Sequence, residues 1–344
     1  WLVIADHSDN MGFFPDLNSG AAHILSDPTG KEWYNRIQAG EGVGVALELI
    51  GKFSQGKFPP ALLYTPDSQP YKDAWAKTVK AAEHYNDPGK FTAFIGYEWT
   101  SLVKGNNMHR VVVYRDGGDK GGQMVPFTTY EPMGSINPRD LWKWLEEYEA
   151  KTGGDVLAIA HNGNLANGIM FPMRAQFDGR KLDDEYVQTR AKWEPLYEAT
   201  QIKGDGETHP FLSPNDEFAD YETWDIGNLD VSEAKTDSML AGEYAREALK
   251  RGMKLEDARE YTFVGCGQTY PHGRGHGNYE DAVIHAVKPF ELALHNGVDP
   301  VSGEQRGPET GRPEDLASYE AFEAAWARGR AMSTDEAGAL AMRV

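Results

Sequence analysis

Four side chains in the first half of the sequence have the types and the placement for metal chemistry. Glu98 closes the apolar run FIGYE, and His109, eleven positions on, stands just before the β-rich run RVVVY. His161 follows the apolar run VLAIA, and His7 stands beside Asp6 at the end of WLVIA. Imidazole nitrogen and carboxylate oxygen are the donors that bind zinc, manganese or iron. A lone histidine after one strand is ordinary, but the same delivery from four separate strands describes a site. Asp6, Asn107, Asn162 and Asn164 are candidates for hydrogen bonds to substrate or to the ligands, and asparagines in such places are equally turn residues. Glu207 and His209 in GDGETHP are further candidates, and such a pair also reads as a solvated loop.

The elements that must position these groups follow from periodicity. WLVIA is a short continuous apolar run and predicts a buried parallel strand with Asp6 and His7 at its carboxyl end. Helical spacing appears within residues 33–53 and again from Tyr71 to His84, where Asp87-Pro88-Gly89 stops it. The strand to Glu98 and the strand after His109 come next, then a glycine-rich loop over residues 116–126. A helix starts at Asn137-Pro138, where proline suits the first turn, and runs to Gly153-Gly154. Residues 156–160 form a buried strand ending at His161, residues 194–202 predict one more strand, and residues 237–251 an amphipathic helix closed by Gly252. Strands that alternate with helices and deliver polar groups at their carboxyl ends predict an α/β fold with parallel strands. Convergence of ligands from four strands favours a distorted barrel over an open sheet.

Composition narrows the partners. The 344 residues are 40% hydrophobic and 25% charged with a net charge of −19, ordinary for a globular chain able to bury a core. That charge argues against nucleic acid or an anionic membrane as the main partner. A small-molecule substrate, phosphorylated if metal ions reverse the field inside the site, is compatible with it. Cys266 has no second cysteine to pair with, so redox usage leaves cytoplasm and periplasm open. No run approaches the roughly 20 apolar residues of a membrane span. The chain opens inside a strand at Trp1, which predicts that an upstream segment, with any targeting signal, has been lost.

The segments LVIADHSDNMG, AFIGYEW, NNMHRVVVYR, AIAHNGN, YEATQIKGDGETHP, LSPNDEFADYETWD and AGEYAREALKRG, in that order, resemble the family catalogued as domain of unknown function 3604, over about residues 1–255. That family is related to the polymerase-and-histidinol-phosphatase (PHP) metallohydrolases. The resemblance implies a distorted (β/α) barrel of PHP type holding one to three divalent metal ions. It implies a bridging Glu98, with His109 and His161 on one of its metals and His7 on another. It also implies hydrolysis of a phosphate ester, in which bound cations acidify a water and hold phosphoryl oxygens. The His-x-His and Asp-x-His motifs of PHP enzymes are absent from the sequence, which implies an incomplete site, an incomplete barrel and impaired activity.

From about residue 255 the text changes. LEDAREYTFVGCGQTYPHGRGHGNYEDAVIHAVKPFELALHNG resembles the thiyl-cysteine region of glycyl-radical enzymes of the pyruvate formate-lyase-like group. Cys266 then takes the place of the radical-relay cysteine, and Gln268 replaces the usual general base with a group that cannot take a proton as a carboxylate does. The plainer reading is one buried cysteine beside a glycine-rich turn. His272, His276 and His285 read as scattered solvated histidines, and helices are expected over residues 282–294, kinked at Pro289, and 313–328. The chain therefore reads as a PHP-like module at 1–255 and a mixed, helical, glycyl-radical-enzyme-like fragment at 256–344. A radical-lyase fragment using Cys266 and a catalytically inert chimera are the alternatives to a hydrolase.

Overall fold

The computed structural model describes residues 1–172, 175–198, 200–201 and 203–250, together with two short paired strands, Val264–Gly265 and Gln268–Thr269. Strand β1 (Leu2–Val3) is followed by helices α1 (Phe13–Ser19), α2 (Ala22–Ser26), α3 (Pro28–Gln38), α4 (Gly42–Ser54) and α5 (Gln69–Tyr85). Strands β2 (Ala93–Phe94), β3 (Gly96–Trp99), β4 (Leu102–Val103), β5 (Asn106–Asn107) and β6 (Arg110–Tyr114) come next, then α6 (Gly118–Gly121), α7 (Pro138–Thr152) and β7 (Val156–Ala160). Helix α8 (Asp184–Trp193) leads to β8 (Leu196–Tyr197), the hairpin β9 (Thr200–Gln201) and β10 (Gly204–Asp205), and α9 (Asp237–Leu240).

The central sheet has the order β3-β6-β7-β8. Tyr97, Val112 and Ala158 lie opposite one another across its first three strands and, with Tyr114, form its core face. Successive residues of a strand point to opposite faces, so this assignment fixes the other face too. Helices α5 and α7 cover the core face: Trp75 meets Tyr97 edge-on at 6.1 Å, and Tyr148 meets Tyr114 at 4.9 Å. Helix α7 forms where the sequence predicts it. Asn137 caps it by accepting from Arg139 N (3.0 Å), Pro138 opens it, Leu141, Trp142, Leu145 and Tyr148 supply its buried stripe, and Gly153 ends it at φ 65°.

A buried charge cluster lies beneath this layer. Glu194 accepts from Arg110 Nε (2.9 Å) and Trp142 Nε1 (2.8 Å), and Arg190 Nε stands 3.2 Å from its second oxygen. Burial pushes the Glu194 carboxyl up, but the two guanidinium groups outweigh it and hold it below its ordinary value.

Several expectations are corrected. The central sheet is mixed: β3, β6 and β7 are antiparallel and β7–β8 are parallel, while β1–β2 form a separate parallel pair, and the described residues close no barrel. The connection from Trp99 to Arg110 is too short for the crossover a parallel neighbour needs. WLVIA is a two-residue strand and is not buried. Among the described residues only β2 pairs with it, leaving Trp1 and Ile4 72% and 58% exposed. The strand expected over 194–202 divides into β8 and β9.

The helix expected over 237–251 is interrupted after Leu240 and resumes over residues 245–250. There Gly242 O accepts from Phe171 N (2.9 Å), so the backbone bonds the 163–171 loop instead of continuing the helix. The resumed turn is buried at Ala245, Arg246, Ala248, Leu249 and Lys250. The glycine-rich loop over 116–126 contains the short α6. Cys266, the histidines at 272, 276 and 285, and the helices expected over 282–294 and 313–328 lie outside the described residues.

Candidate metal centre

Register alone carries the candidate ligands to one face of the sheet. In the parallel pair, Leu2 lies opposite Ala93 and Val3 opposite Phe94, and the same register returns where His7 bridges Glu98. Two bonds hold that bridge, Glu98 N to Asp6 O (2.8 Å) and Ser8 N to Glu98 O (2.7 Å). Glu98 lies opposite Val111, and His109, two residues earlier on the same strand line, is its diagonal neighbour on the same face. One step beyond the Arg110–Ala160 pair, His109 faces His161, whose N donates to His109 O (3.1 Å). This is the face opposite Tyr97 and Val112, so core packing and ligand presentation do not compete for it.

His7, Glu98 and His109 each offer a ligand atom, and these atoms lie within 4.8 Å of one another. His109 Nδ1 is 2.7 Å from Glu98 Oε1, and His7 Nδ1 is 3.4 Å from Glu98 Oε2. His161 stands at the edge of this trio, its Nε2 3.4 Å from Glu98 Oε1. Burial pushes the Glu98 carboxyl up, but the charge and hydrogen bond of His109, with His7 and His161 beyond, bring it down to about 2. Burial also pushes His109 down, to about 4, against the pull of Glu98. At neutral pH the pair is therefore a carboxylate and a neutral imidazole, the states metal ligation requires.

The donor set of two or three imidazoles and one carboxylate suits zinc, manganese or iron. His109 Nε2 is buried and has no hydrogen-bond partner among the described residues, a polar atom that the fold itself does not use. The residues present fit a divalent cation.

The remaining candidates separate into supports and unrelated groups. Asn107 Nδ2 donates to His161 O (2.6 Å) and Asn162 O (3.1 Å), pinning the His161 turn. Asn162 Nδ2 lies 2.5 Å from His161 Nε2. The turn is close-packed at Gly163, whose N donates to the Tyr197 hydroxyl (3.1 Å) and where a β-carbon would collide with that oxygen and with Glu243 O. Asn164 is turned away, donating to Lys203 O (3.1 Å).

Asp6 contributes through its backbone, and the side chain is exposed. Glu207 and His209 are engaged elsewhere, Glu207 with Arg246 and His209 with Asp225 Oδ1 (2.8 Å). The loop turns them away because Asp205 Oδ1 accepts from Glu207 N (3.0 Å). Sequence reasoning missed Glu198, whose Oε2 is 2.6 Å from His161 Nδ1. The signal was present: Tyr197-Glu198 ends β8 much as Tyr97-Glu98 stands in β3.

The family model described as "Protein of unknown function (DUF3604)" matches residues 1–281. The chain belongs to this family. In this DUF3604 protein a pyruvate formate lyase-like model also matches residues 236–333. Over 75 residues the chain is 35% identical to the (2S)-3-sulfopropanediol dehydratase of Klebsiella oxytoca and 39% identical to the trans-4-hydroxy-L-proline dehydratase of Clostridioides difficile. Each similarity covers 22% of this chain and 9% of the dehydratase. No solved structure matches the DUF3604 chain. No helix among its described residues is long and apolar enough to cross a membrane.

Proposed function

We propose that residues 1–255 form a metal-dependent hydrolase module of PHP type. His7, Glu98 and His109 hold a divalent cation, His161 flanks them, and a phosphate ester is the substrate. The observation that carries this reading is the convergence of ligand atoms from His7, Glu98 and His109 within 4.8 Å on one sheet face. A bound zinc, manganese or iron ion supplies an acidified water and an electrophile for phosphoryl oxygens. The chain's own residues hold the cation, keep Glu98 ionised and His109 neutral, and shield the inner side of the site through their burial.

Elemental analysis after chelator-free purification tests the reading. Wild type is expected to retain metal and, when loaded, to hydrolyse p-nitrophenyl phosphate; Glu98→Ala is expected to lose both. Wild type that neither retains nor binds zinc, manganese or iron removes the hydrolase.

A second reading concerns residues 256–344. The similarity to two dehydratases and to the pyruvate formate lyase-like model supports a glycyl-radical-enzyme-like fragment around Cys266. The comparisons speak for this fragment more directly than for hydrolysis, which rests on geometry. As a lyase it would need an activating partner and a glycine loop supplied in trans. A crystal structure with no cavity beside the Cys266 sulfur removes it, leaving an inert appended segment.

A further inference from the structure

We propose that Glu198 is the positioning residue of the metal centre, holding His161 in the tautomer whose Nε2 lone pair faces the cation site. The proposal rests on the metal-centre reading above. Its first support is register. β7 and β8 are parallel, with Ala160 opposite Tyr197, so one step further His161 stands opposite Glu198 on the ligand face. Glu198 Oε2 lies 2.6 Å from His161 Nδ1. The pair is not aligned as a hydrogen bond and Nδ1 has no hydrogen-bond partner among the described residues, but a carboxylate this close repels a lone pair on that nitrogen and so favours the ring proton there.

The second support comes from the other side of the ring. Asn162 Nδ2, a donor only, lies 2.5 Å from His161 Nε2, so that nitrogen carries the lone pair. Two independent neighbours thus specify one tautomer. The lone pair they leave stands 3.4 Å from Glu98 Oε1, at the edge of the His7–Glu98–His109 trio. Glu198 is itself held, accepting from Asn162 N (3.3 Å), and its side chain keeps 26% of its surface in water. A carboxylate behind a ligating imidazole fixes ring orientation and raises ligand basicity. In this arrangement Asn162 occupies the Nε2 lone pair until a cation replaces its amide.

Two measurements test the proposal, on the full chain in variants shown by circular dichroism to be folded. Two-bond proton–nitrogen correlation spectra of the histidine rings are expected to show His161 with its proton on Nδ1 in wild type and redistributed toward Nε2 in Glu198→Ala. Glu198→Gln, which keeps an acceptor oxygen, is expected to restore the wild-type tautomer. Calorimetric titration with zinc alone is expected to give about 10–100-fold weaker binding in Glu198→Ala, with no further loss when His161→Ala is added. An unchanged tautomer, or unchanged zinc affinity, in Glu198→Ala overturns the role of Glu198 while leaving the centre intact. A wild-type chain that binds no zinc, manganese or iron overturns the centre itself and the role with it.

Discussion

Glu98 Oε1 and His109 Nδ1 stand 2.7 Å apart, joined diagonally across β3 and β6 while Tyr97 and Val112 pack the opposite face. The pair is a buried carboxylate against a buried imidazole, and each limits what the other can do as pH changes.

The metal-free protein is expected to lose stability as pH falls from 7 toward 4. Burial holds folded His109 at about 4, below the ordinary 6.5 at which the unfolded chain takes up its proton. The stability this group contributes is present above 6.5 and is lost as pH falls through that window. Glu98, at about 2 against an ordinary 4.5, acts in the same direction further down. Urea midpoints at pH 7 and 5 measure the first effect, and His109→Gln is expected to reduce the difference. A midpoint at pH 5 equal to or above that at pH 7 would contradict the burial of a neutral imidazole.

Glu194→Ala is expected to be among the most destabilising single changes in the described core. It leaves Arg110 and Arg190, both buried, without their shared carboxylate, at a cost of about 3–5 kcal/mol. Equilibrium urea unfolding of the metal-free chain reads this directly. Because Arg110 neighbours His109 on β6, zinc affinity is expected to fall too.

Gly96→Ala tests whether strand approach sets the site. A β-carbon there would meet Val112 O at 2.7 Å and collide with the Val3 side chain. Either β6 or β1 must give way, at about 1–3 kcal/mol for an overpacked position. Since β1 leads to His7 and β6 starts beside His109, stability and zinc affinity are expected to drop together. A variant that loses stability yet binds zinc as wild type does would show that the ligands are set locally.

Asn107→Ala removes both bonds from its amide to the His161 and Asn162 carbonyls. The expected cost is about 1–3 kcal/mol for buried acceptors left unpaired. Hydrogen exchange should report it as faster opening of residues 161–165, with the β3–β6 pairing unchanged.

Much of this arrangement was legible in the sequence because it depends on local pattern. The run from Phe91 to Arg115 announced a carboxylate and an imidazole on neighbouring strands, and α7 was bounded by its own cap, proline and glycine. Strand direction was less legible: the alternation of strands and helices points to parallel neighbours, whereas the short connection from Trp99 to Arg110 joins β3 and β6 antiparallel. The exposure of WLVIA could not be read, since an apolar run does not say how many neighbours cover it. Glu207 and His209 had the right chemistry, and a turn closed by Asp205 sent them elsewhere. Glu198 escaped notice because the strand expected over 194–202 divides after Tyr197, and an uninterrupted strand does not place a carboxylate at its end there.

The three converging side chains differ in exposure. Glu98 and His109 are buried, whereas the His7 side chain keeps 59% of its surface in water. His7 is held by its backbone bridge to Glu98, and its ring meets that of His109 edge-on at 5.7 Å. If the proposed centre holds a cation, the side open to solvent is the His7 side, and exchange of the ion with water is expected to depend more on His7 than on the buried pair.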